Sequence, residues 1–170
     1  ALVVEALKAD LAGILARLAD LVAAPSVTTD PAYGEGMAAA RRILIARLEA
    51  AGFANVGELA APGHPAVTGE WLGAPGKPTL LIYGHYDVQP PDPLGLWATP
   101  PFELHERNGR LHARGASDDK GPMSLALEVL AAFLNHGNRL PVNVKLLLEG
   151  EEECGSPSLA GLLAANRERL

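Results

Sequence analysis

The chain has 170 residues, 48% of them apolar and 20% charged, a balance that supports one domain with a real core and excludes disordered and fibrous classes. Its formal net charge of −6 argues against a nucleic-acid partner, because phosphate neutralisation needs clustered Lys and Arg, and only Arg41-Arg42 and Arg167 to Arg169 approach that. Cys154 is the single cysteine and cannot form an internal disulfide, so a reducing cytoplasm is the default expectation.

From the N-terminus, Leu7, Leu11, Ile14, Leu15, Leu18, Leu21 and Val22 recur at three- and four-residue spacing. That periodicity predicts an amphipathic helix over Leu2 to Ala24, stopped by Pro25. Glu5, Lys8, Asp10, Arg17 and Asp20 interrupt it, so it reads neither as a signal peptide nor as a membrane span. A second helix is expected from about Gly36 to Ala51 with Gly52 as its C-terminal cap, followed by strands at Asn55 to Leu59 and Ala66 to Trp71. Thr79 to Tyr83 is a continuous apolar run between Pro78 and Gly84, the pattern of a strand buried on both faces.

Gln89 to Pro101 is proline-rich and reads as a long irregular loop. Asn108-Gly109 between two short extended runs is a strong hairpin signal. A helix from about Gly121 to Asn135, an apolar strand from Val142 to Leu148 and a helix from about Ser158 to the end complete the pattern. Strands alternating with helices predict an α/β fold with a mostly parallel sheet covered by helices on both faces. No internal repeat, low-complexity segment or interdomain linker interrupts it.

Chemistry concentrates in blocks that follow the apolar strands or open a helix. His85 and Asp87 stand two residues apart at a strand end and project to one side, an arrangement suited to a metal-bound imidazole whose other nitrogen is held by Asp87. A strand-end ion pair would read the same way. Asp118 and Asp119 precede a helix, where one carboxylate can serve simply as a cap, while one Asp can also bridge two cations. Glu151, Glu152 and Glu153 follow the strand ending at Leu148. They read either as a solvated acidic loop or as a divided pair, one acid binding metal and its neighbour taking a proton. Three such blocks at the ends of strands of one sheet, where α/β sheets bind ligands, favour a two-metal hydrolytic site over three coincidences. His64, His105, His112 and His136 lack such neighbours, and Cys154 reads as a small packed residue.

The stretches Gly84-His85-Tyr86-Asp87-Val88-Gln89-Pro90, Trp97 with Pro101-Phe102, Arg114-Gly115-Ala116-Ser117-Asp118-Asp119-Lys120-Gly121-Pro122 and Leu148 to Ser156 carry a resemblance. Over roughly Leu11 to Leu163 the chain resembles the N-terminal part of the catalytic domain of the co-catalytic di-metal aminoacylase and dipeptidase family. Its members include carnosine dipeptidases, succinyl-diaminopimelate desuccinylases, acetylornithine deacetylases and glutamate carboxypeptidases. The resemblance implies a zinc-exopeptidase-like fold in which His85 binds one metal, Asp118 bridges both, Glu153 binds the other, Glu152 is the general base and Asp87 orients His85. Within the Glu run a slip to Glu151 and Glu152 is open, and Gly155-Ser156 favours Glu152 and Glu153. A cis peptide between Asp118 and Asp119 is also implied.

Tetrahedral catalytic zinc takes three protein ligands, and His85, Asp118 and Glu153 with a shared bridge give only two per metal. In the family another carboxylate, a C-terminal His and an inserted lid domain with the dimer interface complete the enzyme, all beyond Leu170. The chain is therefore expected to span only the N-terminal portion of a truncated catalytic domain, inactive by itself, with any homodimer requiring the lid. The expected cofactors are two divalent ions, zinc with manganese or cobalt as alternatives. Gln89-Pro90, Trp97 and Gly121-Pro122 resemble the dipeptidase branch, which implies hydrolysis of dipeptides or small peptides by a metal-activated water. The alternatives are an N-acyl amino acid deacylase or desuccinylase, or an inactive fragment that only binds cations. No nucleic-acid or membrane partner is expected.

Overall fold

In the computed structural model, which describes residues 2–137 and 139–170, four strands form one sheet in the order β1-β2-β6-β3, and a two-stranded ribbon β4-β5 stands apart. The strands are β1 (Ala54–Leu59), β2 (Ala66–Trp71), β3 (Thr79–His85), β4 (His105–Arg107), β5 (Arg110–His112) and β6 (Asn143–Glu149). The helices are α1 (Leu2–Ala9), α2 (Leu11–Val22), α3 (Gly34–Ala50), α4 (Lys120–Gly137) and α5 (Leu159–Ala165).

The α/β class agrees with the sequence pattern, but the sheet is mixed rather than mostly parallel. β1 pairs antiparallel with β2 and β2 antiparallel with β6, and only β3 runs parallel to β6. The connections account for this. Residues 60–65 join β1 to β2 directly and reverse the chain, whereas β3 and β6 are linked through the crossover helix α4, the length of connection that a parallel pair requires.

Helices cover both faces, as the alternation along β6 requires. Leu146 and Leu148 pack with Leu21 of α2, Leu44 and Leu48 of α3, and Met123 and Leu127 of α4. Leu147, one residue out of phase, faces the other way and packs with Leu59, Ala66 and Leu162 of α5. β3 departs from its expected burial on both faces: it is an edge strand, with Leu80 52%, Leu81 42% and Tyr83 48% exposed. An apolar run has the same composition whether its neighbours are on one side or two.

Two helix boundaries differ from their patterns. The N-terminal helix is interrupted at Asp10, whose backbone, with φ of −102° and ψ of 19°, leaves helical geometry, so α1 and α2 are separate. The last helix ends at Ala165, where the Asn166 side chain donates to the Leu162 carbonyl at 2.8 Å. The hairpin forms as its turn residues dictate: Asn108 and Gly109, with φ of 54° and 71°, join Arg107 and Arg110 in the doubly left-handed two-residue turn that matches strand twist.

Candidate metal centre

The parallel register places His85, the last residue of β3, opposite Glu149, the last residue of β6. The segments following both strands therefore leave the sheet side by side, and the Tyr86 N–H donates to the Glu149 carbonyl at 2.8 Å. From β3 the chain runs through Tyr86 and Asp87 to Val88, which bridges to Val27. From β6 it passes Gly150 into a single helical turn over Glu152–Cys154. The start of α4 brings in Asp118 and Asp119, joined by a cis peptide as the resemblance implied.

Asp87 organises this junction and is fully buried. One of its carboxylate oxygens lies 3.3 Å from His85 Nδ1 and accepts the Glu152 N–H at 3.3 Å; the other accepts the Glu153 N–H at 3.1 Å. The Nδ1 side of the imidazole is also 3.1 Å from the Asp87 carbonyl. Its Nε2 turns outward, 3.1 Å from Asp118 Oδ1 and 3.8 Å from Glu152 Oε2. Burial alone would lower the imidazole pKa, but the hydrogen bond and charge of Asp87, with the charges of Asp119 and Glu152, push it up to about 9.

His85, Asp118 and Glu153 each offer a donor atom within 4.8 Å of the others, the one group of metal-ligand type among the described residues. An imidazole held at its far nitrogen by a buried carboxylate and facing exposed carboxylates is a donor set suited to zinc, manganese or cobalt. The residues present therefore fit a divalent ion.

The neighbouring acids are directed elsewhere. Asp119 Oδ2 accepts the His85 N–H at 3.2 Å, and a side chain at Gly84 would come within 2.9 Å of that oxygen. Glu151 is buried and accepts the His64 N–H at 3.1 Å and the Ser158 N–H at 3.1 Å, tying residue 64 to the start of α5. Glu152 and Glu153 are the two acids of that run that face His85 or Asp118. His64, His105, His112 and His136 lie outside the group.

Sequence reasoning missed three supports. Lys120 is fully buried, with its Nζ donating to the carbonyls of Leu21 at 2.9 Å and Ala24 at 2.6 Å, so it ties the start of α4 to the end of α2; burial lowers its pKa to about 7. Tyr83 and Ser156 both donate to the Glu149 carboxylate. Gln89 donates to Glu153. Apart from the Ser156–Glu149 pair, the partners are distant in the chain, and only the adjacency of Lys120 to the Asp pair was visible locally.

A histidine and carboxylates gathered at the C-terminal ends of parallel strands define an α/β protein with a candidate metal centre. Comparison with known proteins takes the assignment further: the profile of peptidase family M20/M25/M40 matches residues 81–170, and the chain belongs to that family. It is 41% identical to the human Beta-Ala-His dipeptidase over 109 residues, which is 64% of this chain and 22% of that protein. It is 36% identical to the Cys-Gly metallodipeptidase DUG1 of Candida albicans over 162 residues, 87% of this chain and 33% of that one. The crystal structure of human carnosine dipeptidase 1 superposes with a TM-score of 0.91 at 30% identity, over 98% of this chain and 38% of the other. A metallo-carboxypeptidase of the family from Sulfolobus solfataricus gives 0.84 at 39% identity, over 92% and 35% of the two chains. The chain thus spans between about a fifth and two fifths of the length of these relatives.

Proposed function

We propose that the chain forms the N-terminal portion of the catalytic domain of a metal-dependent hydrolase that cleaves the amide bond of dipeptides or small peptides. The observation that carries this reading is the convergence of His85, Asp118 and Glu153 within 4.8 Å, with the Glu152 carboxylate 3.8 Å from the same imidazole. Relatives named as dipeptidases support the substrate class.

His85 would hold one divalent ion, Glu153 the other, and Asp118 would reach both, with zinc the preferred metal over manganese or cobalt. Bound ions of this kind polarise a scissile carbonyl and acidify water. Glu152 is the proton acceptor: it is half-exposed beside the donor group while its own backbone N–H is fixed by Asp87. Asp87 keeps the His85 Nδ1 engaged so that Nε2 points at the ligand position. Further metal ligands, a lid domain and a dimer interface belong to the remainder of a longer protein. Cys154, expected from the sequence to be packed, is exposed, and a single free cysteine suits a cytoplasmic setting. Among the described residues no helix is long and apolar enough to cross a membrane.

Assays of the full-length enzyme on a panel of dipeptides and N-acyl amino acids test the substrate class. Faster turnover of dipeptides is expected, and a preference for N-acyl amino acids would assign the deacylase reading instead. Glu152→Ala is expected to abolish turnover with metal content retained, whereas retained turnover would remove Glu152 as the base.

A further inference from the structure

The segments after β3 and β6 are joined by a second hydrogen-bonded link besides Asp87, made by Gln89. The Gln89 amide nitrogen donates to the Glu153 carbonyl at 3.0 Å and to Glu153 Oε2 at 2.8 Å. Both partners are acceptors, so the amide must present its NH2 to Glu153. One side chain thereby fixes the backbone and the carboxylate of the same residue, and the second carboxylate oxygen accepts no hydrogen bond among the described residues.

Gln89 is exposed, and its value as an anchor depends on what holds it. The following prolines are stapled in place. Arg114 Nη2 donates to the Pro90 carbonyl at 3.2 Å, and its guanidinium lies over the Trp97 ring, 5.3 Å from the centroid. Trp97 Nε1 in turn donates to the Pro91 carbonyl at 2.7 Å, and the Arg114 N–H donates to the Pro101 carbonyl at 2.7 Å. The proline-rich loop is thus closed on itself around an arginine and a tryptophan, and it presents Gln89 from a fixed base.

We propose that Gln89 is a positioning residue for Glu153: it selects the carboxylate orientation in which one oxygen is committed to the amide and the other is free for a cation. The inference rests on Glu153 being a metal ligand. It separates the two ions functionally, since Gln89 touches Glu153 but not His85 or Asp118 among the described residues.

The test measures zinc affinity of the full-length enzyme at both sites by chelator competition, with the cobalt-substituted absorption spectrum as a second readout. Gln89→Met keeps the length of the side chain and removes the donor. It is expected to weaken one of the two ions about 10-fold or more, the usual cost of losing a hydrogen bond to a metal ligand, and to leave the other ion unchanged. Gln89→Glu places a carboxylate against a carboxylate and is expected to weaken that ion further. Unchanged affinity at both sites in Gln89→Met overturns the proposal. Equal weakening of both, with a lowered Tm, also overturns it, since that is the signature of a general loop defect. Glu153→Ala run in parallel separates the two levels. If it retains both ions at full affinity, Glu153 is not a ligand and the underlying reading fails; if it loses one ion while Gln89→Met loses none, only the Gln89 role fails.

Discussion

The Asp87 carboxylate lies 3.3 Å from His85 Nδ1 and is entirely withdrawn from solvent. Because its oxygens also accept the N–H groups of Glu152 and Glu153, every neighbour it has here can act as a donor. Asp87→Asn would turn an amide N–H toward one of them and leave buried donors facing each other. The expected result is a loss of about 1–3 kcal/mol in urea unfolding of the metal-free protein. Zinc binding should weaken by about 10- to 100-fold in chelator competition.

Gly150 passes directly beneath Tyr86, where a Cβ would lie 2.3 Å from the phenolic oxygen. That hydroxyl already donates to the Pro65 carbonyl at 2.6 Å, and the ring is fully buried, so it has no room to retreat. Gly150→Ala is therefore expected to destabilise the fold by about 1–3 kcal/mol through overpacking, read as a shift in denaturant midpoint.

Away from the site, Glu128 of α4 joins Arg17 at 2.7 Å and Arg47 at 2.6 Å. Burial pushes its carboxyl up, but the hydrogen bonds and charges of the two arginines outweigh this and hold it below the ordinary value near 4.5. A carboxyl with a depressed folded-state pKa contributes stability that is present above the unfolded value and lost as the pH falls through the folded one. Acid unfolding followed from neutral pH downward should therefore be less steep below pH 4.5 in Glu128→Gln than in the parent chain. The substitution should also lower stability near neutrality.

The 170-residue chain alone should bind zinc more weakly than the full-length enzyme and turn over no dipeptide, since catalytic zinc ordinarily takes three protein ligands and only three candidate donors serve two ions here. Calorimetry with zinc and a dipeptide assay check both halves. Near-stoichiometric binding together with turnover would overturn the expectation.

What the sequence made legible was local. Asn108-Gly109 dictates its own turn, Gly52 with φ of 87° sits just past α3, and the strand ends and helix start that carry the His and acidic blocks are readable from periodicity, whereas the grouping of His85, Asp118 and Glu153 was implied by the family resemblance. What it hid was pairing. The Val142 to Leu148 and Thr79 to Tyr83 runs look alike, yet Leu146 is buried in the centre of the sheet and Leu81 lies at its edge. Likewise, three consecutive glutamates are told apart mainly by partners that the fold supplies. Glu151 is claimed by His64 and Ser158, while Glu152 and Glu153 are held through their backbones by Asp87.

The open flank of β3 gives the isolated chain a handling property. Its outer backbone row pairs with no strand among the described residues, and Leu80, Leu81 and Tyr83 stand beside it in solvent. Such a margin is a template on which another extended segment can dock. The isolated chain is therefore expected to self-associate as its concentration rises. Light scattering should rise with protein concentration, and Leu80→Lys, on the exposed flank and opposite Val144, should suppress it.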